Sequence, residues 1–222
     1  MIIIPARDEA RSIATVIDKA RRQFLWPIVV VDDASQDETI AMARAAGAQV
    51  LGLPLHLGAW GAIQTGLRYA LRQDWEMAVT LDADGQHDPA DIHSLIAPLV
   101  DGRADVVIGA CPLRVSPARR LAWRWFRALS GIAVEDLTSG FRAYNRKAIE
   151  RLSRPDATLL DYQDVGVLLI LRRQHLRILQ VPVSMRARYD GKSRVFDSWW
   201  TVSRYMLRTS LLCLAGIGGQ HQ

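Results

Sequence analysis

The segment Asp82-Ala83-Asp84-Gly85-Gln86 sets two carboxylates two residues apart directly after the apolar run MAVTL. On an extended chain such positions face the same side, so the two acids converge. Two anions about 4 Å apart repel by roughly 4 kcal/mol at an effective dielectric near 20. A divalent cation reverses that sign, and its remaining coordination sites can take a diphosphate. A second acid pair, Asp32-Asp33, ends another apolar run and is followed by Ala34-Ser35. Carboxylates so placed can accept from a ribose hydroxyl or a base imide. Arg7, Asp8 and Glu9 follow the first apolar run and could complete a nucleoside pocket, although Glu9 equally suits a helix start. Late in the chain, Arg186, Arg188, Lys192 and Arg194 crowd around Gly191. Guanidinium groups and turn amides of that kind bind phosphate.

These groups need a scaffold that delivers them to one place. Ile2–Ile4 reads as a buried strand stopped by Pro5. Ile28–Val31, Gln49–Leu53, Met77–Leu81 and Val106–Ile108 read as four more strands. Helical spacing recurs over Ala10–Phe24, Glu38–Ala46 and Gly58–Leu71. Ser35 and Asp37 offer caps for the second of these, and Asp88-Pro89 opens a further helix. Unbroken apolar strands alternating with helices predict an α/β fold with a mostly parallel central sheet covered on both faces. Ligands in such sheets sit at the carboxyl ends of the strands, where Arg7–Glu9, Asp32–Ser35, Asp82–Gln86 and Gly109–Cys111 fall. The second half is less regular: helices over Pro117–Leu129, Gln163–Arg173 and Ser198–Leu214, a loop with a short strand over Asp136–Tyr144, and a strand over Leu176–Val183.

The chain has 222 residues, half of them apolar, and a net charge of +5. One core can then bury roughly 70–75% of the unfolded surface, which favours one main domain. Cys111 and Cys213 stand far apart without metal-ligand spacing, as expected of a reducing cytosol. The basic stretches 112–127 and 198–222 carry no acid and several tryptophans. They suit anionic lipid headgroups or phosphates better than base reading, so no nucleic-acid partner is expected. No signal peptide is evident, and no window approaches the ~18–20 apolar residues that cross a bilayer.

The motifs IIIPARDEARSI, VVDDASQDET, LGAWGAIQTGLRYA, LDADGQHDP, VVIGA, DLTSGFRAYNRKAI and VPVSMRARYDGKSRV occur in order over about residues 2–195. With them the chain resembles family 2 glycosyltransferases, above all the branch of dolichyl- and polyprenyl-phosphate sugar synthases. The resemblance implies a GT-A nucleotide-sugar-binding domain over residues 1–195, followed by a C-terminal amphipathic helix and tail over 196–222. It also implies inverting transfer of a hexose from a nucleotide diphosphate sugar. Asp33 would read the base, uracil or guanine, with Pro5, Ala6 and Glu9 beside it. Asp82, Asp84 and Gln86 would hold Mg²⁺ or Mn²⁺ against the diphosphate, and Ser139 and Arg142 would belong to an acceptor-side loop with Gly140. Arg188, Lys192 and Ser193 would close over phosphate groups. Cys111, His56 and Trp60 depart from residues common in the family and place the donor pocket in question.

Asp84, Arg188 and Asp164 are the expected catalytic residues. A lipid-phosphate acceptor is already ionised near neutral pH, whereas a sugar hydroxyl needs a carboxylate base. Asp164, Asp136 and Asp161 are the candidates for that base. The expected partners are a nucleotide-diphosphate sugar, a lipid-phosphate acceptor, a membrane surface and a separate membrane protein. The expected location is peripheral, on the cytoplasmic face. Transfer to a saccharide or natural-product hydroxyl is the alternative. A sugar nucleotidyltransferase would carry a Gly-rich, basic loop after the first strand, and Pro5–Ala10 has none.

Overall fold

A computed structural model describes residues 1–111, 124, 134, 136, 139–159 and 165–186. Seven strands form one sheet: β1 (Ile2–Ala6), β2 (Ile28–Asp32), β3 (Gln49–Gly52), β4 (Met77–Thr80), β5 (Val106–Ala110), β6 (Arg142–Asn145) and β7 (Ile178–Pro182). Their order is β3-β2-β1-β4-β6-β5-β7. All neighbours pair in parallel except β6, which runs antiparallel to both β4 and β5. The sheet is therefore mostly parallel, as the unbroken apolar runs predict.

β1, β2 and β5 are near-continuous apolar segments because both faces are covered. Alternate residues of β1 divide between the two layers: Ile3 joins Val29, Val31, Ile63 and Leu67, while Ile2 and Ile4 join Val30, Ile17 and Leu95. Helices α1 (Ile13–Gln23), α2 (Thr39–Ala45) and α4 (Ile92–Val100) cover the second face. The first is covered by α3 (Gly58–Arg72), α5 (Arg146–Leu152) and α6 (Val165–Arg173). Of these, α5 lies where no helix is predicted; Asn145 starts it by accepting from the Ala148 amide at 3.0 Å. Trp60 is buried in this layer, its indole donating to the Ala157 carbonyl at 2.7 Å. It is part of the core.

Pro5 does not stop β1 as expected. The carbonyls of Met1 and Ile3 accept from Val79 and Leu81 of the neighbouring strand, whereas the Ala6 carbonyl accepts from Asp33 on the other side. Odd positions of β1 thus face β4, and its pairing ends at Ile3 with Thr80. The missing Pro5 amide falls just beyond that ladder, where proline is tolerated.

Asp105, just ahead of β5, ties that strand to β6 and to the start of β7. One carboxylate oxygen accepts from Asn145 at 2.8 Å, and the other from the Arg177 amide at 2.7 Å and its guanidinium at 3.2 Å. The strand order leaves a switch point between β1 and β4, because the chain builds outward from β1 to β3 and then restarts on the other side. Ligands of open α/β sheets bind in the crevice at such a point. The helices expected over Pro117–Leu129 and Ser198–Leu214, and the segment 196–222, lie outside the described residues.

Candidate active site

Three loops meet at the carboxyl ends of β1, β2 and β4. The first two are stitched together by reciprocal bonds. The Asp8 amide donates to Ser35 Oγ at 2.9 Å, the Glu9 amide to Thr39 Oγ1 at 2.8 Å, and the Gln36 amide to Asp8 Oδ1 at 2.7 Å. Asp37 joins this seam by accepting from the Ala10 amide at 3.2 Å and the Thr39 amide at 3.0 Å. Burial opposes the Asp37 charge, but these donors and the Thr39 hydroxyl hold its carboxyl below the ordinary value. The expected cap for α2 is thus used partly to fasten two loops. Glu9 meets the Ser12 hydroxyl at 2.9 Å, and its carbonyl accepts from the Ser12 and Ile13 amides, so it shapes the start of α1. Pro5 and Ala6 end β1 just above this seam.

Both acids that end β2 are buried. Asp33 Oδ1 accepts from the Leu57 amide at 2.6 Å, and Oδ2 from the Gly58 amide at 3.0 Å and His56 Nδ1 at 2.6 Å. Asp33 therefore fastens the start of α3, and half-exposed His56 is its side-chain neighbour. Asp32 Oδ2 accepts from the Ser35 amide at 3.0 Å, while its buried Oδ1 has no hydrogen-bond partner.

Asp82, Ala83, Asp84 and Gly85 form a turn beyond the end of β4, with Gly85 at φ 74°. Strand alternation is therefore not what places the two acids, contrary to expectation. Asp84 is buried and accepts from the Gln86 amide at 3.0 Å; the Asp82 side chain is 37% exposed. Gly140 lies against Asp82: a Cβ there would lie 2.3 Å from Oδ1, so any side chain would push the carboxylate out of its place. The Thr80 hydroxyl fixes Gly140 by donating to its carbonyl at 2.7 Å. Ser139 and Arg142 flank this contact, both buried, with Arg142 Nε donating to the Ser139 carbonyl at 2.8 Å. Asp136 is buried nearby in sequence, its amide on Gln180 Oε1 at 3.3 Å.

The turn is also tied to the segment that follows β7. His87 bridges Met185 in antiparallel fashion, and the Arg186 amide donates to the Gln86 carbonyl at 2.7 Å. Arg186 Nη2 meets Asp88 Oδ2 at 2.7 Å, so this arginine braces the acidic loop. Asp88 also caps the turn over Pro89–Asp91, as the Asp-Pro pair predicts. Arg188, Gly191, Lys192, Ser193, Arg194, Asp161 and Asp164 lie outside the described residues. Sequence reasoning passed over His87 as a working part, and it set Gly140 in an acceptor-side loop without foreseeing its contact with Asp82. The only signal for His87 was its place inside DGQHDP.

Hard carboxylate oxygens suit Mg²⁺ or Mn²⁺. Among the described residues no group of three or more His, Cys, Asp and Glu side chains forms a closed cage. Two acids with substrate oxygens completing the sphere are the usual arrangement for Mg²⁺, and Asp82 and Asp84 fit that chemistry.

The family described as glycosyl transferase family 2 matches residues 1–153. The chain is 26% identical to polyprenol monophosphomannose synthase of Mycolicibacterium smegmatis, covering 89% of this chain and 81% of that protein. It is 28% identical to the UDP-N-acetylglucosamine–dolichyl-phosphate N-acetylglucosaminyltransferase of Methanococcus voltae, covering 82% and 83%. Glucosyl-3-phosphoglycerate synthase of Mycobacterium tuberculosis, solved with Mn²⁺, UDP-glucose and phosphoglyceric acid, superimposes with a TM-score of 0.75. It shares 25% identity, covering 96% of this chain and 78% of that one. With a matching family model over most of its length and the GT-A architecture, this chain is an enzyme that belongs to glycosyl transferase family 2.

Proposed function

We propose that the chain transfers a hexose, with inversion, from a UDP- or GDP-sugar to a polyprenyl- or dolichyl-phosphate acceptor at the cytoplasmic face of a membrane. The observation that carries this reading is the acidic turn Asp82–Gln86 at the switch point of the sheet, braced by Gly140 and Arg186. Asp82, Asp84 and Gln86 would hold Mg²⁺ or Mn²⁺, which when bound supplies Lewis-acid stabilisation of the departing diphosphate. Asp33 and His56 would face the base, with Pro5, Ala6 and Glu9 shaping that side. Ser139 and Arg142 would support the acceptor side, and Arg188, Lys192 and Ser193 would contact phosphate. An ionised acceptor phosphate needs no general base, so Asp164 would then only assist positioning.

The acceptor class is supported by two relatives, one named a polyprenol monophosphomannose synthase and the other a dolichyl-phosphate N-acetylglucosaminyltransferase. Among the described residues no helix is long and apolar enough to cross a membrane. Access to a lipid acceptor would then be peripheral, through the basic, tryptophan-bearing stretches 112–127 and 198–222. The test is transfer of labelled sugar from UDP- and GDP-donors into vesicles containing polyprenyl phosphate, with flotation of the same vesicles. Label extracted with the lipid, and protein that floats with anionic vesicles at low salt, is the expected outcome. Label found only on soluble hydroxyl acceptors, with protein left in the soluble phase, would refute the acceptor assignment.

A further inference from the structure

Asp82 is boxed on two sides. Gly140 lies against the carboxylate, with a virtual Cβ 2.9 Å from Oδ2, and His87 Nδ1 faces Oδ2 at 3.4 Å. The His87 side chain is only 2% exposed, and its Nδ1 completes no hydrogen bond. A buried ring nitrogen left without a partner costs about 1–3 kcal/mol, so its retention calls for a reason. Packing does not supply one, because a phenyl ring would fill the same space. The imidazole stacks on Phe141 with centroids 4.9 Å apart and planes 32° apart. Its backbone is pinned by the bridge to Met185. The ring is thus held between Phe141 and the bridge to Met185, with Nδ1 3.4 Å from one carboxylate oxygen of Asp82.

We infer that His87 is a positioning residue for Asp82: its Nδ1–H orients the carboxylate so that the outer oxygen meets the cation of the nucleotide complex. Partners behind a ligating group of this kind typically change metal affinity by 10–100-fold. The inference rests on the reading of Asp82 as a cation ligand. It adds a residue that touches neither donor nor acceptor.

The test measures Mn²⁺ binding to the full chain with UDP present, by electron paramagnetic resonance, with no turnover involved. His87→Asn places an amide nitrogen near Nδ1, His87→Gln places one near Nε2, and His87→Phe keeps only the ring packing. Asn is expected to stay within about threefold of the parent, while Gln and Phe weaken Mn²⁺ binding roughly tenfold or more. UDP binding without Mn²⁺ should be unchanged in all three. Parent-like Mn²⁺ affinity in His87→Phe, while Asp82→Asn abolishes binding, would overturn this inference alone. Unchanged Mn²⁺ binding in Asp82→Asn would overturn both it and the cation assignment. Equal losses in all three variants, tracking lost thermal stability, would show a packing role and refute the positioning one.

Discussion

Asp84→Asn should lower kcat/KM by roughly a thousandfold, about 4 kcal/mol of transition-state stabilisation, while the protein stays folded. The fold survives because an asparagine oxygen can still accept from the Gln86 amide, the bond that shapes the turn. On the proposed cation site, what disappears is one of two negative charges offered to the metal. Asp82→Asn should act in the same direction, and the two losses should not add, because a cation held by one acid is already misplaced. Steady-state kinetics over a Mn²⁺ titration, beside thermal melts, provide the check. A rate within tenfold of the parent at saturating metal would mean that Asp84 does other work.

The second large effect concerns stability. Asp105→Ala should cost about 2–3 kcal/mol, because it strands the Arg177 amide and the Asn145 side chain where β5, β6 and β7 meet. The Arg177 side chain is 55% exposed, so the ion pair itself contributes little and the amide bonds dominate. Burial works against the Asp105 charge, but hydrogen bonds from Arg177 and Asn145 hold its carboxyl below the ordinary value of 3.8. A folded value below the unfolded one stabilises fully above about pH 4 and is lost as pH falls through the folded value. Urea melts at pH 7 and in steps below pH 4 should therefore show the gap between parent and variant closing on acidification. A gap that stays constant with pH would assign the loss to packing.

Much of this architecture is legible from residue types because parallel strands buried on both faces leave a strong apolar record. Ile2–Ile4, Ile28–Val31 and Val106–Ile108 lie inside their strands, each running one or two residues further. The extension of β1 through Pro5 was hidden because it depends on where the neighbouring ladder ends. The antiparallel course of β6 was equally hidden, since a four-residue pattern carries no direction.

At the site, the acidic turn is legible from its spacing, but its mechanics are not. Asp33 meets His56 and the Leu57 and Gly58 amides across 23 to 25 residues of sequence. Arg186 reads as one more member of a phosphate-binding cluster, yet it pairs with Asp88. Gly140 matters for the close approach it allows to Asp82, and His87 for a buried nitrogen 3.4 Å from that acid. Such roles are set by side-chain placement in the folded turn, over separations from 5 positions for His87 and Asp82 to 98 for Arg186 and Asp88, and residue types alone do not encode them.

The most direct test of the cation assignment is anomalous diffraction at the manganese edge from crystals soaked with Mn²⁺ and UDP-sugar or GDP-sugar. One strong peak is expected within coordination distance of Asp82 and Asp84 and of the nucleotide diphosphate. A nucleotide bound in the crevice with no peak beside those acids, or with manganese elsewhere, would contradict it.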